Sequence, residues 1–205
     1  MKEEFFIPSA DGKRKVHGFW WIPEGKVRAV VQLVHGMVEH IGRYDAFARY
    51  LNQQGFAVIG HDHLGHGESV LGPEDYGFFS EKMGKVALLK DMYHVTRMAK
   101  GRYPTLPVFV LGHSMGSFFL RRYLTIYGDK IDGAIIMGTG WEPLGAVRFG
   151  RILAKVLMVV RGGHFRSQLV NGLALGSYVG KFGGKRRPGS WLSRNEENVR
   201  AYRED

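Results

Sequence analysis

The chain alternates between two hydrophobic periods over its first 140 residues. Glu4 to Ile7 and Lys15 to Ile22 read as two strands of an opening hairpin, with Asp11-Gly12 as the turn. Ala29 to Val34 is an apolar, β-branched run, the composition of a strand buried on both faces. Tyr44 to Gln54 predicts a helix, with Phe47, Tyr50 and Leu51 on one stripe and Gly55 as its stop. Phe56 to Gly60 is a further short buried strand. Lys85 to Lys100 predicts a long helix, because Leu88, Leu89, Met92, Val95 and Met98 recur at helical spacing. Pro107 to Leu111 predicts a strand, Met115 to Tyr127 a helix closed by Gly128, and Ile131 to Met137 a strand. Strands separated by helices of ten or more residues pair in parallel through crossovers. The expected fold class is therefore α/β, a mostly parallel sheet flanked by helices.

Past residue 140 the alternation stops. Leu144 to Arg161 reads as a basic amphipathic helix, and Gly176 to Gly189 as a glycine-rich basic stretch. Trp191 to Arg203 carries Ser193 as an N-cap with Glu196 three residues on, the spacing of a capping box. This divides the chain into 1–140, the N-terminal part of an α/β core, and 141–205, a helical cap or lid over the sheet's C-terminal edge.

Composition narrows the picture in three places. There is no cysteine, which excludes a disulfide framework and a thiolate metal site. The N-terminus MKEEFFIPSADGK has two acids and no apolar core of a signal peptide, and the longest apolar stretch, Ile152 to Val160, is broken by Lys155. A soluble cytoplasmic protein is the expectation. The net charge of +10 is concentrated late, in Arg148, Arg151, Lys155, Arg161, Arg166, Lys181, Lys185, Arg186 and Arg187. No nucleic-acid module accompanies it, so no nucleic-acid partner is expected. The basic face is either solvated or in peripheral contact with an anionic membrane surface.

The candidate chemistry begins at Gly112-His113-Ser114-Met115-Gly116, where a strand runs into Gly-X-Ser-X-Gly and then a helix. That context puts a serine on a sharp turn, lifted off the sheet, with the helix N-terminus favouring developing negative charge. Upstream, His35-Gly36-Met37 ends the strand Ala29 to Val34. Acyl transfer needs two backbone donors for the oxyanion, one after the nucleophile and one from such a loop. Those donors would be the N–H groups of Met115 and Met37. His35 precedes the serine, against the usual chain order of nucleophile, acid and histidine, so it is read as a supporting residue rather than a base. The third segment, Gly60-His61-Asp62-His63-Leu64-Gly65-His66-Gly67-Glu68-Ser69, invites a metal reading, but its spacing completes no site. It is read as a glycine-rich loop supporting the rim, and no metal or cofactor is expected.

Together these segments resemble the α/β-hydrolase superfamily. His35-Gly36-Met37-Val38-Glu39-His40 followed by Arg43-Tyr44, then Asp62 to Ser69, then Gly112 to Gly116, resemble the monoacylglycerol lipase and lysophospholipase branch of the serine aminopeptidase S33-type hydrolases. The resemblance implies Ser114 as nucleophile and Met37 and Met115 as oxyanion-hole donors. His35, Gly36, Gly112, His113 and Gly116 would support them. It also implies a carboxylic-ester hydrolase of lipid-like substrates, without a cofactor. Soluble esters, thioesters or amides remain alternatives on the same elbow, as does a non-catalytic fragment or binding protein. Ser117 departs from the pattern, since many relatives have a second glycine there.

A serine needs a base oriented by an acid, and in this fold both follow the nucleophile. The only later histidine is His164, and of the acids before it Glu142 alone follows a strand. A set of Ser114, Glu142 and His164 is the weak in-chain alternative, because His164 lies in the expected lid without a strand before it. The resemblance implies instead two further βα units bearing the acid and the histidine. On that basis the chain is expected to be C-terminally truncated, with the last strands of the core absent and little activity alone.

Overall fold

The structure, a computed structural model, describes residues 1–181 and 192–204. Two compact units divide it, Met1–Trp141 and Glu142–Asp205.

The first unit is built on a six-stranded sheet. In chain order its elements are β1 (Lys2–Pro8), β2 (Lys15–Trp21), β3 (Ala29–Val34), α1 (Asp45–Gln53), β4 (Phe56–His61), α2 (Gly84–Arg102), β5 (Val108–His113), α3 (Met115–Tyr127) and β6 (Gly133–Met137). The spatial order is β1-β2-β4-β3-β5-β6. β1 and β2 form an antiparallel hairpin, and β2 meets β4 antiparallel. The pairs β3–β4, β3–β5 and β5–β6 are parallel, each connection passing through a helix. The strand and helix assignments of the first unit thus hold, with shifts of at most two residues at their ends.

β3 lies at the centre of the sheet and every residue of it is buried. On one side Val31 and Leu33 pack with Ile41, Ala48, Val58 and Leu111. On the other, Val30 packs with Trp20, Ile59, Val95, Ala99 and Val108, and Val34 with Met92, Val110, Leu120 and Tyr123. The helix stripe expected on α1 is corrected here. Ala48 is fully buried and Leu51 packs beside it, whereas Phe47 and Tyr50 are exposed. Tyr44 belongs to a preceding 3-10 turn, Ile41–Tyr44, and packs against the same cluster as Leu51.

Gln32 is the one polar side chain in β3, and it is fully buried. Its Nε2 donates to the Met92 carbonyl at 2.9 Å, and its Oε1 accepts from the Thr96 hydroxyl at 2.6 Å. Thr96 Oγ1 also lies 2.8 Å from the Tyr123 hydroxyl. This polar seam ties the central strand to α2 and α3 and leaves no partner idle. β6 is one of the two edge strands, with Ile135, Ile136 and Met137 between 42% and 48% exposed.

The second unit contains α4 (Leu144–Arg161), α5 (Gln168–Lys181) and α6 (Glu196–Glu204). α5 was not anticipated; Ser167 accepts from the Val170 N–H at 3.2 Å and starts it. The part of the glycine-rich stretch beyond residue 181, and Trp191, lie outside the described residues. The expected capping box is also corrected. Asn195, not Ser193, caps α6, its Oδ1 accepting from the Glu197 N–H at 2.9 Å. Ser193 instead accepts from the Asn195 N–H at 3.1 Å, so it shapes the turn before the cap. Among the described residues no helix is long and apolar enough to cross a membrane.

Replacing Thr96 by Val keeps shape but strands Gln32 Oε1 and the Tyr123 hydroxyl in the interior. The expected loss is about 2–3 kcal/mol of unfolding free energy, read from urea denaturation. A loss under about 0.5 kcal/mol would mean that the seam contributes nothing.

Candidate active site

The parallel register sets β3 and β5 side by side, with Val34 opposite Gly112. The loops leaving their carboxyl ends, His35-Gly36-Met37 and His113-Ser114-Met115, are therefore neighbours. This is where parallel sheets present functional groups.

Ser114 adopts φ +51° and ψ −118°, between β5 and the first turn of α3. A non-glycine residue there is strained by about 1–3 kcal/mol, so the surroundings must hold it. Three hydrogen bonds do so. The Ser114 N–H donates to the Met137 carbonyl of β6 at 2.9 Å, and the Ser114 carbonyl accepts from both the N–H and the hydroxyl of Ser117, at 2.9 and 2.6 Å. Ser117 is fully buried, so the departure noted in the sequence adds a hydrogen bond to the turn. The flanking glycines are required by space. A Cβ on Gly112 would stand 2.6 Å from the Gly116 carbonyl oxygen, and one on Gly116 would overlap the carbonyl oxygens of Val34 and His35.

The loop after β3 touches the elbow. A Cβ on Gly36 would stand 3.1 Å from Ser114 Cβ and 2.5 Å from Glu39 Oε1. Met37 and Val38 follow, 43% and 67% exposed, and Val38 has φ +56°. Left-handed backbone at a β-branched residue is a second point of strain, in the loop beside the first. The Met115 N–H is one of the unpaired donors of a helix start. Neither it nor the Met37 N–H is hydrogen-bonded within the protein among the described residues.

Glu39 and Tyr44 belong to this site although the sequence reading gave them no role. Glu39 Oε1 accepts from the Gly36 N–H, from the Tyr44 hydroxyl at 3.0 Å and from His113 Nδ1 at 3.2 Å. Burial alone would raise the Glu39 pKa, but the hydrogen bonds from His113, Gly36 and Tyr44 outweigh it and hold the carboxyl below its usual range. Burial and the adjacent Glu39 carboxylate push the Tyr44 phenol well up. Both stand in the segment His35 to Tyr44, but nothing in its spacing shows that Glu39 reaches back to the Gly36 N–H.

His35 is fully buried and both ring nitrogens are engaged by backbone. Nδ1 donates to the Gly36 carbonyl at 2.8 Å and Nε2 accepts from the His63 N–H at 2.9 Å. Burial, with His63 and His66 close by, keeps it neutral and its pKa well down. It holds the two loops together and has no free nitrogen to take a proton. His63 lies 4.1 Å from the His35 ring centroid and bonds the His35 carbonyl through Nε2 at 3.2 Å. Asp62 serves the same loop, accepting from Ile41 N–H at 2.7 Å and Glu68 N–H at 3.1 Å, and meeting His17 Nδ1 at 2.6 Å. Among the described residues no group of three or more acidic or imidazole side chains is arranged to hold a metal ion. Glu142 and His164 both lie in the second unit, Glu142 before α4 and His164 in the turn after it, and both are exposed.

The histidines make a pH prediction. Burial lowers the pKa of His35, His61, His63 and His66, to about 3 for His61, whose ring nitrogens have no partner among the described residues. Unfolded histidine titrates near 6.5. The stability these four contribute is thus complete above about pH 6.5 and is lost as pH falls, by up to about 1.4 kcal/mol per unit for each. His17 opposes them. Burial lowers its pKa, but Asp62 and Glu4 raise it further, so its contribution is present below about pH 6.5 and lost as pH rises through its folded value. The expected net result is a steep fall in urea midpoint from pH 6.5 to 4.5, flattened in His61→Leu. An unchanged acid slope in that variant would refute the account.

Residues 25–205 match the family described as "Serine aminopeptidase, S33". The chain is 31% identical to human monoglyceride lipase over 191 residues, which is 91% of this chain and 54% of that one. It is 32% identical to the monoacylglycerol lipase of Mycolicibacterium smegmatis over 137 residues, 67% of this chain and 46% of that one. A thermostable carboxyl esterase from Bacillus coagulans, solved with glycerol, superposes with a TM-score of 0.89 at 28% identity, over all of this chain and 65% of its own. The chain thus spans about half the length of these lipases. The family match, the relatives and the shared architecture agree with the elbow and the loop beside it: the chain belongs to the serine aminopeptidase S33 family of α/β-hydrolases, in its monoacylglycerol lipase-like branch.

Proposed function

We propose that the chain carries the nucleophile half of a serine hydrolase that cleaves carboxylic esters of lipid-like substrates, monoacylglycerols or lysophospholipids. The observation that carries this reading is Ser114, a serine at φ +51° between a parallel strand and a helix start, in contact with the loop at Gly36. Its hydroxyl oxygen attacks the ester carbonyl carbon, and the electron pair moves to the carbonyl oxygen. The N–H groups of Met37 and Met115 receive that oxyanion. Collapse expels the alcohol and leaves an acyl group on Ser114, which water then removes. The similarity to monoglyceride lipases supports the lipid-like ester, and the name of the matched family favours amides as a second reading.

The hydroxyl needs a base oriented by an acid. The two histidines that flank the elbow's loops in sequence, His35 and His113, are engaged elsewhere. His35 is engaged by backbone on both nitrogens, and His113 Nδ1 faces Glu39 and Tyr44. Glu142 and His164 remain the weak in-chain candidates. Residues 1–205 alone are expected to hydrolyse a monoacylglycerol at least about 10³-fold more slowly than a relative with a full triad. Slow labelling by a fluorophosphonate is expected and disappears in Ser114→Ala. Full-rate turnover by 1–205 would refute the reading that these residues lack an oriented base and acid, and equal labelling of Ser114→Ala would refute the nucleophile.

The proposal extends to the cap. α4 exposes Phe149, Ile152, Val156 and Val160 along one flank, with Arg148, Arg151 and Lys155 along the adjoining flank. Basic amphipathic helices of this kind lie in the interface of anionic bilayers. Residues 1–205 should co-sediment with vesicles containing phosphatidylglycerol, bind phosphatidylcholine vesicles weakly, and lose binding as salt rises. Equal binding to both vesicles at all salt concentrations would remove the electrostatic part of the reading.

A further inference from the structure

We propose that Glu39 positions the loop beside Ser114, acting through the Gly36 N–H. The proposal rests on the reading of Met37 as an oxyanion donor. One carboxylate oxygen gathers donors from three separate segments of the chain. The Gly36 N–H comes from the loop after β3, the Tyr44 hydroxyl, at 3.0 Å, from the 3-10 turn, and His113 Nδ1, at 3.2 Å, from the last residue of β5. Tyr44 Oη and His113 Nδ1 are themselves 3.1 Å apart, which closes the cluster. The second oxygen lies 3.9 Å from Arg43 Nε. The side chain is only 12% exposed, so these partners replace water.

The consequence is mechanical. Glu39 grips the backbone three residues before it, so residues 36 to 39 form a closed ring. Val38 sits inside that ring at φ +56°, a conformation it would leave if the ring opened. Met37 lies between the gripped Gly36 and the strained Val38, so the direction of its N–H follows from both. Gly36 is held between Glu39 Oε1 and Ser114 Cβ, with no room for a side chain. The same oxygen that fixes the loop also fixes the residue before Ser114. Glu39 thereby sets the distance between the two candidate oxyanion donors without touching a substrate.

The test uses amide hydrogen exchange by NMR on residues 1–205, comparing wild type with Glu39→Ala, Glu39→Gln and Tyr44→Phe. In Glu39→Ala, exchange at Gly36, whose N–H the carboxylate accepts, should rise at least tenfold, while core amides of β3 and β5 keep wild-type protection. Glu39→Gln, which retains an acceptor without the charge, should give a smaller rise, and Tyr44→Phe a smaller one still. Fluorophosphonate labelling should slow in the same order through its maximal rate, with the half-saturating probe concentration unchanged. Unchanged loop exchange in Glu39→Ala overturns the proposal. So does a rise shared equally by loop and core, which marks a general loss of stability. If Glu39→Ala does not fold, Glu39→Gln decides, and wild-type loop exchange there overturns the proposal. A wild type that takes up no probe counts against the nucleophile reading alone, since the exchange experiment decides the role of Glu39 independently.

Discussion

The close approach of Gly116 to the carbonyls ending β3 is the constraint on which the site depends. Any side chain at 116 would overlap the carbonyl oxygens of Val34 and His35. With none, the start of α3 can press against the strand next to the one it leaves. That contact forces the sharp turn at Ser114 and sets its backbone at φ +51°. It also brings the loop at Gly36 to within 3.1 Å of Ser114 Cβ, measured from a Cβ built on the glycine. Strain at one residue and a missing side chain at another are thus two sides of a single packing decision. The cost is met by the buried strands beneath, where β3 loses water from every side chain.

Around this contact the polar groups serve geometry more than charge. His35 spends both nitrogens on backbone, and Asp62 collects two backbone N–H groups and a histidine. Glu39 does the same for the opposite side of the loop. Each of these groups would be expensive to bury alone, and each is buried where irregular backbone would otherwise leave donors unmet. The histidines are the exception to full satisfaction. His61 has no partner for either nitrogen among the described residues, and it tolerates burial because a neutral imidazole avoids the cost of a charge.

Much of the first unit was legible in the sequence because the two hydrophobic periods alternate cleanly there. The run from Ala29 to Val34 could only be a strand covered on both faces, and glycines around Ser114 marked a turn that other residues would block. The α1 stripe was misread because periodicity gives the set of apolar positions but not their rotation about the axis. Packing on the sheet set that rotation, and Ala48, too small to dominate a pattern, became the buried residue. Glu39 was visible within a motif, yet its role was not. A reach from Glu39 back to Gly36 depends on the left-handed backbone of Val38, which nothing in a valine announces. The start of α6 was misplaced for a related reason, since Ser193 and Asn195 both have capping chemistry and only the local turn chooses between them.

The elbow also depends on the least buried strand of the sheet. The Ser114 N–H is bonded to the carbonyl of Met137, the last residue of β6, and β6 carries Ile135, Ile136 and Met137 nearly half exposed. A strand held by one neighbour gains less from burial than β3, so its end is freer to move. The left-handed Gly138 follows directly, 3.5 Å from the Ser114 N–H by its added Cβ, so the chain turns away at the point of contact. The backbone of the candidate nucleophile is therefore held from the α3 side, through Ser117, and from the β6 side, through Met137. The Met137 carbonyl thus ties the turn at Ser114 to the order of β6, a strand that has one neighbour and little burial to hold it.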